Sequence, residues 1–311
     1  MFAEKKMKLL ITGATGLIGK EIVSKAHELG HTVHFLTTRS SEINSLAPAK
    51  GFLWNPDQGE IDTTCFEGVE VVMHLAGASV SKRWTSANKE KIRSSRIIPT
   101  QLLVQEVEKN KSLHQIRQII SASAIGIYPS HFNKMMKEDA NVTSNSFLES
   151  VVIDWEKEVD RFELLGVTLS KIRIGLVLTP KGGVMQTLKL PTLLGLGAAF
   201  GSGQQGQSWI HIDDLVAMFL FMAQQQCEGI YNAVAPNPVT QNEFMKALAK
   251  AYNRPYFLPR LPAFLLRFLV GEMGQLVLES HWVSAQKIKE KGFAFQYPEI
   301  LSACKHLVSN S

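Results

Sequence analysis

Cysteine is scarce in this chain. Its 311 residues hold three, Cys65, Cys227 and Cys304, odd in number and far apart. Without a C-x-x-C pair they offer neither a disulfide framework nor a zinc site, and no metal is expected. They read as reduced thiols of a cytoplasmic protein. Long apolar runs are missing too. Stretches such as "AMFLFMA" (217–223) fall far short of the ~20 residues that span a bilayer. The opening "MFAEKKMKLL" is charged, with too short an apolar run for a signal peptide. Charge of one sign is also lacking. Lys and Arg number 33 against 28 Asp and Glu, a net charge of +5. The densest basic run, "KEKIRSSR" (89–96), contains an acid, so no basic stripe for nucleic acid is present.

What remains is an ordinary globular composition, 45% hydrophobic and 20% charged. Such a chain can bury a sizeable core and a small-molecule site, and it is long enough for one domain with a smaller lobe. Apolar, β-rich runs recur at 8–12, 32–37, 69–75, 116–122, 167–173 and 229–234. Segments of helical spacing lie at 17–29, 86–109, 147–164 and 213–225. This alternation predicts an α/β fold of the doubly wound, Rossmann type, with a parallel sheet covered on both faces. A dinucleotide-binding domain is expected over 7–178, completed by 210–235. The glycine-rich 179–209 and the helical, proline-punctuated 236–308 are expected to form a smaller substrate lobe.

"LLITGATGLIG" (9–19) supplies a motif. Gly13, Gly16 and Gly19 separate a strand from an amphipathic helix, and a second strand follows about twenty residues on. Such a turn lets backbone approach a ligand closely and aims a helix N-terminus at an anion, for which a diphosphate is the natural occupant. Thr15, Leu17 and Ile18 complete the cradle. A side chain at Gly13 is expected to block the diphosphate while leaving the fold largely intact. The second strand ends "TTRS" (37–40), with no acid until Glu42. An NAD site places an acid there. Arg39, with Thr38 or Ser40 beside it, instead offers a fork suited to the 2′-phosphate of NADP(H). NADPH is therefore expected to bind much more tightly than NADH.

These residues resemble the short-chain dehydrogenase/reductase superfamily in its extended, epimerase-like branch. "VVMHLAG" (71–77) resembles that branch's fourth strand, "IISASAIGIY" (119–128) its fifth, and "IHIDDL" (210–215) a late helix start. "KRWT", "SSR", "DWEKE", "RIGLVLTPKGG", "GSGQQGQSWIHIDD", "YNAVAPNPVT" and "KGFAF" narrow the resemblance to the atypical epimerase-like proteins. Members of that family are described as NADP-dependent oxidoreductases or sugar-nucleotide epimerases, some bearing the label cell division inhibitor. The resemblance implies that Leu75, Ala76, Gly77, Arg96 and Val177 also touch the dinucleotide.

The wider superfamily pairs a serine with Tyr-x-x-x-Lys for acid–base work beside hydride transfer. Ser123 matches the serine, but no Tyr-x-x-x-Lys exists in the chain. Aligning Glu156 on the acid that usually follows the lysine puts Leu148 at the tyrosine and Val152 at the lysine. Tyr128 is the substitute acid, with Glu138 and His211 more distant candidates. His211 reads more simply as a packed residue before a helix capped by Asp213. Arg83 and Trp84 are the candidate substrate contacts, an anion partner and a pocket wall. Two functions stand open. One is an NADP(H)-dependent oxidoreductase or epimerase-like enzyme on an unknown small molecule. The other is a non-catalytic NADPH-binding regulatory or sensing protein. The oligomeric state, monomer or homodimer, is open as well.

Overall fold

The computed structural model describes residues 6–310, apart from the side chains at 267, 269 and 270. Residues 1–5, part of the opening segment read above, lie outside it. In chain order the main elements are β1 (Lys8–Thr12), α1 (Leu17–Glu28), β2 (Thr32–Thr37), β3 (Lys50–Asn55), β4 (Glu60–Ile61), β5 (Val71–His74), α2 (Ser86–Lys109), β6 (Gln118–Ala124), α3 (Phe147–Val159), β7 (Thr168–Ile174), α4 (Gly183–Leu193), α5 (Ile212–Gln224), β8 (Gly229–Ala233) and α6 (Gln241–Ala251). The eight strands form one sheet in the order β8-β7-β6-β5-β1-β2-β3-β4. All neighbours are parallel except β3 and β4. The chain leaves β1 toward β2 and β3, then returns to its other side at β5. Right-handed crossovers in opposite directions put α1 and α2 on opposite faces. The switch point between β1 and β5 is where open sheets of this kind bind ligands.

The strands are apolar because both faces are covered. Leu9, Leu10 and Ile11 of β1 and every residue of β5 are buried. β3 escaped the sequence reading. It lies next to the sheet edge and alternates instead of running apolar throughout. Phe52 and Trp54 point inward while Leu53 is 43% exposed. The helix expected over 147–164 ends as an α-helix at Val159 and continues as tighter turns to Leu165, before Gly166 at φ +71°. Among the described residues, three two-strand pairs lie outside the sheet. They join Leu176–Leu178 to Trp209–His211, Gly206–Gln207 to Val239–Thr240, and Met135–Met136 to Trp282–Val283. No helix among the described residues is long and apolar enough to cross a membrane.

Candidate functional site

The glycine turn joins β1 to α1 at the switch point. Gly13 has φ +67°, and a Cβ there would lie 2.7 Å from the Leu75 carbonyl oxygen. A side chain at Gly13 would therefore collide with the backbone just past the end of β5, so the fold is not indifferent to it. Gly19 is equally constrained, since its Cβ would meet Gly13 O at 2.3 Å. Gly16 differs. It is exposed, and a Cβ would meet only Gly13 O, at 3.1 Å. No side chain caps α1, and its first turn holds no acid. The N–H groups at Leu17, Ile18 and Gly19 lie in the turn that has no intrahelical acceptors. Thr15 and Ile18 are half-buried around them. Leu17 reaches across to the loop after Val177, with its Cδ1 3.0 Å from a Cβ position on Gly182. That loop is tied to α1 by the Lys181–Glu21 ion pair at 2.6 Å.

At the end of β2, Thr38 and Arg39 are exposed, as a cofactor contact requires. Arg39 is not unpaired. Its guanidinium lies 2.7 Å from Glu42 Oε1, and the Thr37 hydroxyl donates to Glu42 Oε2 at 3.4 Å. The acid that position in the sequence placed too far along is folded back to the strand end.

The end of β5 is held by a chain of hydrogen bonds that no motif announced. The Leu75 and Ala76 N–H groups both donate to Thr12 Oγ1, at 3.0 and 3.1 Å. The Thr12 proton is then free for His74 Nδ1 at 2.8 Å. His74 Nε2–H donates to Thr100 Oγ1 at 2.9 Å, and Thr100 donates to the Arg96 carbonyl at 2.5 Å. Every proton in the chain is thereby assigned. Burial pulls His74 down to about 4, so it stays neutral. Arg96 lies beside this strand end. Its Nη1 donates to the Ala78 and Ile92 carbonyls, its guanidinium stacks on Trp155 at 5.2 Å, and it abuts Gly77. It forms no ion pair among the described residues, and burial pulls it down to about 10. A half-buried cation without a counter-ion among the described residues, at the strand end that backs the glycine turn, suits an anionic ligand.

Ser123 and Tyr128 are joined by one buried network. The Ser123 hydroxyl donates to Glu156 Oε1 at 2.5 Å. Arg173 grips both Glu156 oxygens at 2.9 Å, through Nε and Nη2. Its Nη1 donates to Tyr128 Oη at 2.9 Å, and Tyr128 donates to Asn232 Oδ1 at 2.8 Å. Burial alone would push Glu156 up, but Arg173, Ser123 and Lys171 outweigh it and hold the carboxylate below its ordinary value. The Tyr128 phenol is raised, mainly by burial. Tyr128 is fully buried, with its proton committed to Asn232, so the geometry gives the expected substitute acid a structural place instead. Glu138 acts as a strut, accepting from Asn232 N at Oε1 and from Arg173 at its carbonyl.

The remaining candidates divide. Arg83 is exposed. Trp84 is 6% exposed and packs with Ile92, Val151, Phe147 and Leu148, its indole N–H on Val80 O at 3.0 Å. It is thus a core residue of a small cluster, not an open pocket wall. Leu148 belongs to that cluster and Val152 to the main core. His211, not Asp213, caps α5. Its Nδ1 accepts from Asp213 N at 3.1 Å and its ring stacks on Tyr297 at 3.9 Å. Its Nε2 faces His306 Nδ1 at 3.2 Å. In the His211, His306 and Asp213 cluster both His211 nitrogens and His306 Nδ1 are engaged in hydrogen bonds.

Residues 9–147 match the NAD dependent epimerase/dehydratase family, and residues 261–307 match a domain of unknown function, DUF1731. An epimerase family protein of Staphylococcus aureus (strain MRSA252) is 33% identical over 301 residues, covering 96% of this chain and 98% of its own. The chain belongs to the epimerase family. A Staphylococcus haemolyticus family member is 35% identical over 303 residues, covering 97% and 99%. The human epimerase family protein SDR39U1 (isoform 2), crystallised with NADPH, superposes with a TM-score of 0.85 at 25% identity, covering 98% of this chain and 100% of its own. The family thus has the Rossmann-type fold described above, in the extended short-chain dehydrogenase/reductase class.

Proposed function

We propose that this chain binds NADPH across the C-terminal ends of β1, β2 and β5, and acts as an NADP(H)-dependent oxidoreductase or epimerase-like enzyme on a small molecule. The observation that carries the reading is the uncapped α1 N-terminus behind Gly16, at the switch point, with Arg96 at the neighbouring strand end and no acidic partner for it among the described residues. The NADPH in the human family structure supports it. In this reading Gly13, Thr15, Gly16, Leu17, Ile18 and Gly19 hold the diphosphate, with Arg39 and Thr38 at the 2′-phosphate. Leu75, Ala76, Gly77, Arg96 and Val177 line the rest. Residues 7–178 with 210–235 form the cofactor domain, and 179–209 with 236–308 the substrate lobe.

Bound there, the cofactor supplies or accepts a hydride. The protein's own part differs from the usual relay. Leu148 and Val152 cannot ionise, and Tyr128 is tied into the core. Ser123 gives its one proton to an ionised carboxylate, so it offers lone pairs and accepts from a substrate hydroxyl; it does not polarise a carbonyl. Arg173 and Glu156 position it. The buried Tyr128 also favours a second reading, an NADPH-binding regulator without turnover.

The test is a calorimetric NADPH titration of the wild type and Gly16→Val. A valine there points into the cleft, so binding should weaken at least about thirtyfold with little change in melting temperature. Undiminished binding by the folded variant sinks the proposal. Gain of NADPH absorbance from NADP+ with a panel of small alcohols, read alongside loss of NADPH absorbance with the matching carbonyl compounds, separates the enzyme from the regulator.

A further inference from the structure

We propose that Glu42 is the counter-ion that the 2′-phosphate of NADPH must displace, and that it sets how far this chain prefers NADPH to NADH. This rests on the reading of the cleft as a dinucleotide site. The local fold makes the arrangement. After β2 the chain turns through Ser40–Glu42, closed by Glu42 N on Arg39 O at 3.0 Å. That single turn brings a carboxylate five residues downstream back to the last residue of β2. Thr37, 4% exposed, fixes it from one side, and the Arg39 guanidinium, 2.7 Å away, from the other. The Arg39 side chain is 65% exposed and the Glu42 side chain 23%, so the arginine is accessible and the acid is partly enclosed.

The consequences follow from charge. Arg39 cannot give its full fork to a phosphate and to Glu42 at once. A phosphate that takes Arg39 also comes to lie near a carboxylate, and the two repel. NADH carries no phosphate at that point. It leaves the Arg39–Glu42 pair intact and meets an acceptor for its ribose hydroxyls at the strand end, where an NAD site keeps its acid. The same two side chains thus serve either cofactor. NADPH wins because a guanidinium–phosphate contact outweighs an exposed pair of close spacing, itself worth no more than about fivefold in an equilibrium constant. The margin is smaller than Arg39 alone would give.

The experiment is calorimetric titration of NADPH and NADH into wild type, Glu42→Gln and Glu42→Asp. Glu42→Gln should tighten NADPH about five- to thirtyfold, from the lost pair plus the lost repulsion. NADH should stay within about twofold or weaken, so the ratio of the two affinities rises roughly tenfold. Glu42→Asp, one methylene too short to reach both Thr37 and Arg39, should move the ratio the same way by less, and it provides the reading if the glutamine variant does not fold. A ratio that is unchanged or lower in the variants overturns the proposal while leaving the dinucleotide site standing. Wild type that binds neither cofactor overturns both.

Discussion

Replacing Tyr128 by phenylalanine removes one hydroxyl from the buried network and leaves Asn232 Oδ1 without its donor. A buried polar group stranded in this way costs about 1–3 kcal/mol. The melting temperature should fall by roughly 2–8 °C, with NADPH affinity unchanged. If Tyr128→Phe melts like wild type but loses a reductase activity, the phenol is an acid after all. Gly13 behaves differently from Gly16. An alanine at Gly13 must adopt φ +67° and push its Cβ toward the Leu75 carbonyl. We expect Gly13→Ala to destabilise by about 1–2 kcal/mol from the backbone alone, with the contact adding to that. Thermal melts of Gly13→Ala and Gly16→Ala side by side read the contrast, and equal melts would contradict it. Both cases turn on contacts that the linear sequence hides. The need for glycine was legible from its place between strand and helix. Its reason, the passage of β5 behind it, was not.

Among the elements, α3 is fastened to β7 by Glu156 and Arg173, two charges that are each under 10% exposed. Removing one member of such a pair leaves the other buried and uncompensated, at a cost of about 3–5 kcal/mol. Glu156→Ala should therefore lower the urea midpoint strongly, and replacing both residues by apolar ones of similar volume should recover much of the loss. A double variant no better than the single would show that the charges themselves are needed. Most elements could be read in advance because parallel strands buried on both faces leave continuous apolar runs, as in Val71–His74. β3 could not, since a strand with Leu53 turned outward alternates like many loops. The cap of α5 was misplaced by two residues. Capping statistics favour aspartate, whereas here the stacking of Tyr297 sets the His211 ring where its Nδ1 meets the Asp213 amide. The return of Glu42 to β2 escaped for a related reason, because one short turn decides it.

For the molecule as a whole, acid should act through its buried histidines. Burial lowers His34, His74 and His211, the last two to about 4, while the unfolded chain protonates near 6.5. Between pH 6.5 and 4 the unfolded state therefore binds more protons than the native state, and stability falls as the pH falls. His74 alone accounts for about 3 kcal/mol at the acid end of that window. Glu156, held low, adds its loss only below its ordinary value, whereas Asp214, raised by burial, opposes the trend just above its own ordinary value. Urea midpoints at pH 7, 6 and 5 should decline steadily, and His74→Gln should flatten the slope. A midpoint independent of pH over that range would mean that these histidines titrate in the native state as they do in the unfolded chain.

The Thr12 hydroxyl has one more consequence, in the exchange of amide hydrogen for deuterium. Leu75 N–H also reaches the Thr12 carbonyl at 3.3 Å, while Ala76 N–H has that hydroxyl as its partner. In Thr12→Val the Ala76 amide should lose its protection by orders of magnitude, with Leu75 losing less and the neighbouring β5 amides still exchanging at the rate of global unfolding. One oxygen atom would then be seen to guard two neighbouring amide protons unequally at the mouth of the cleft.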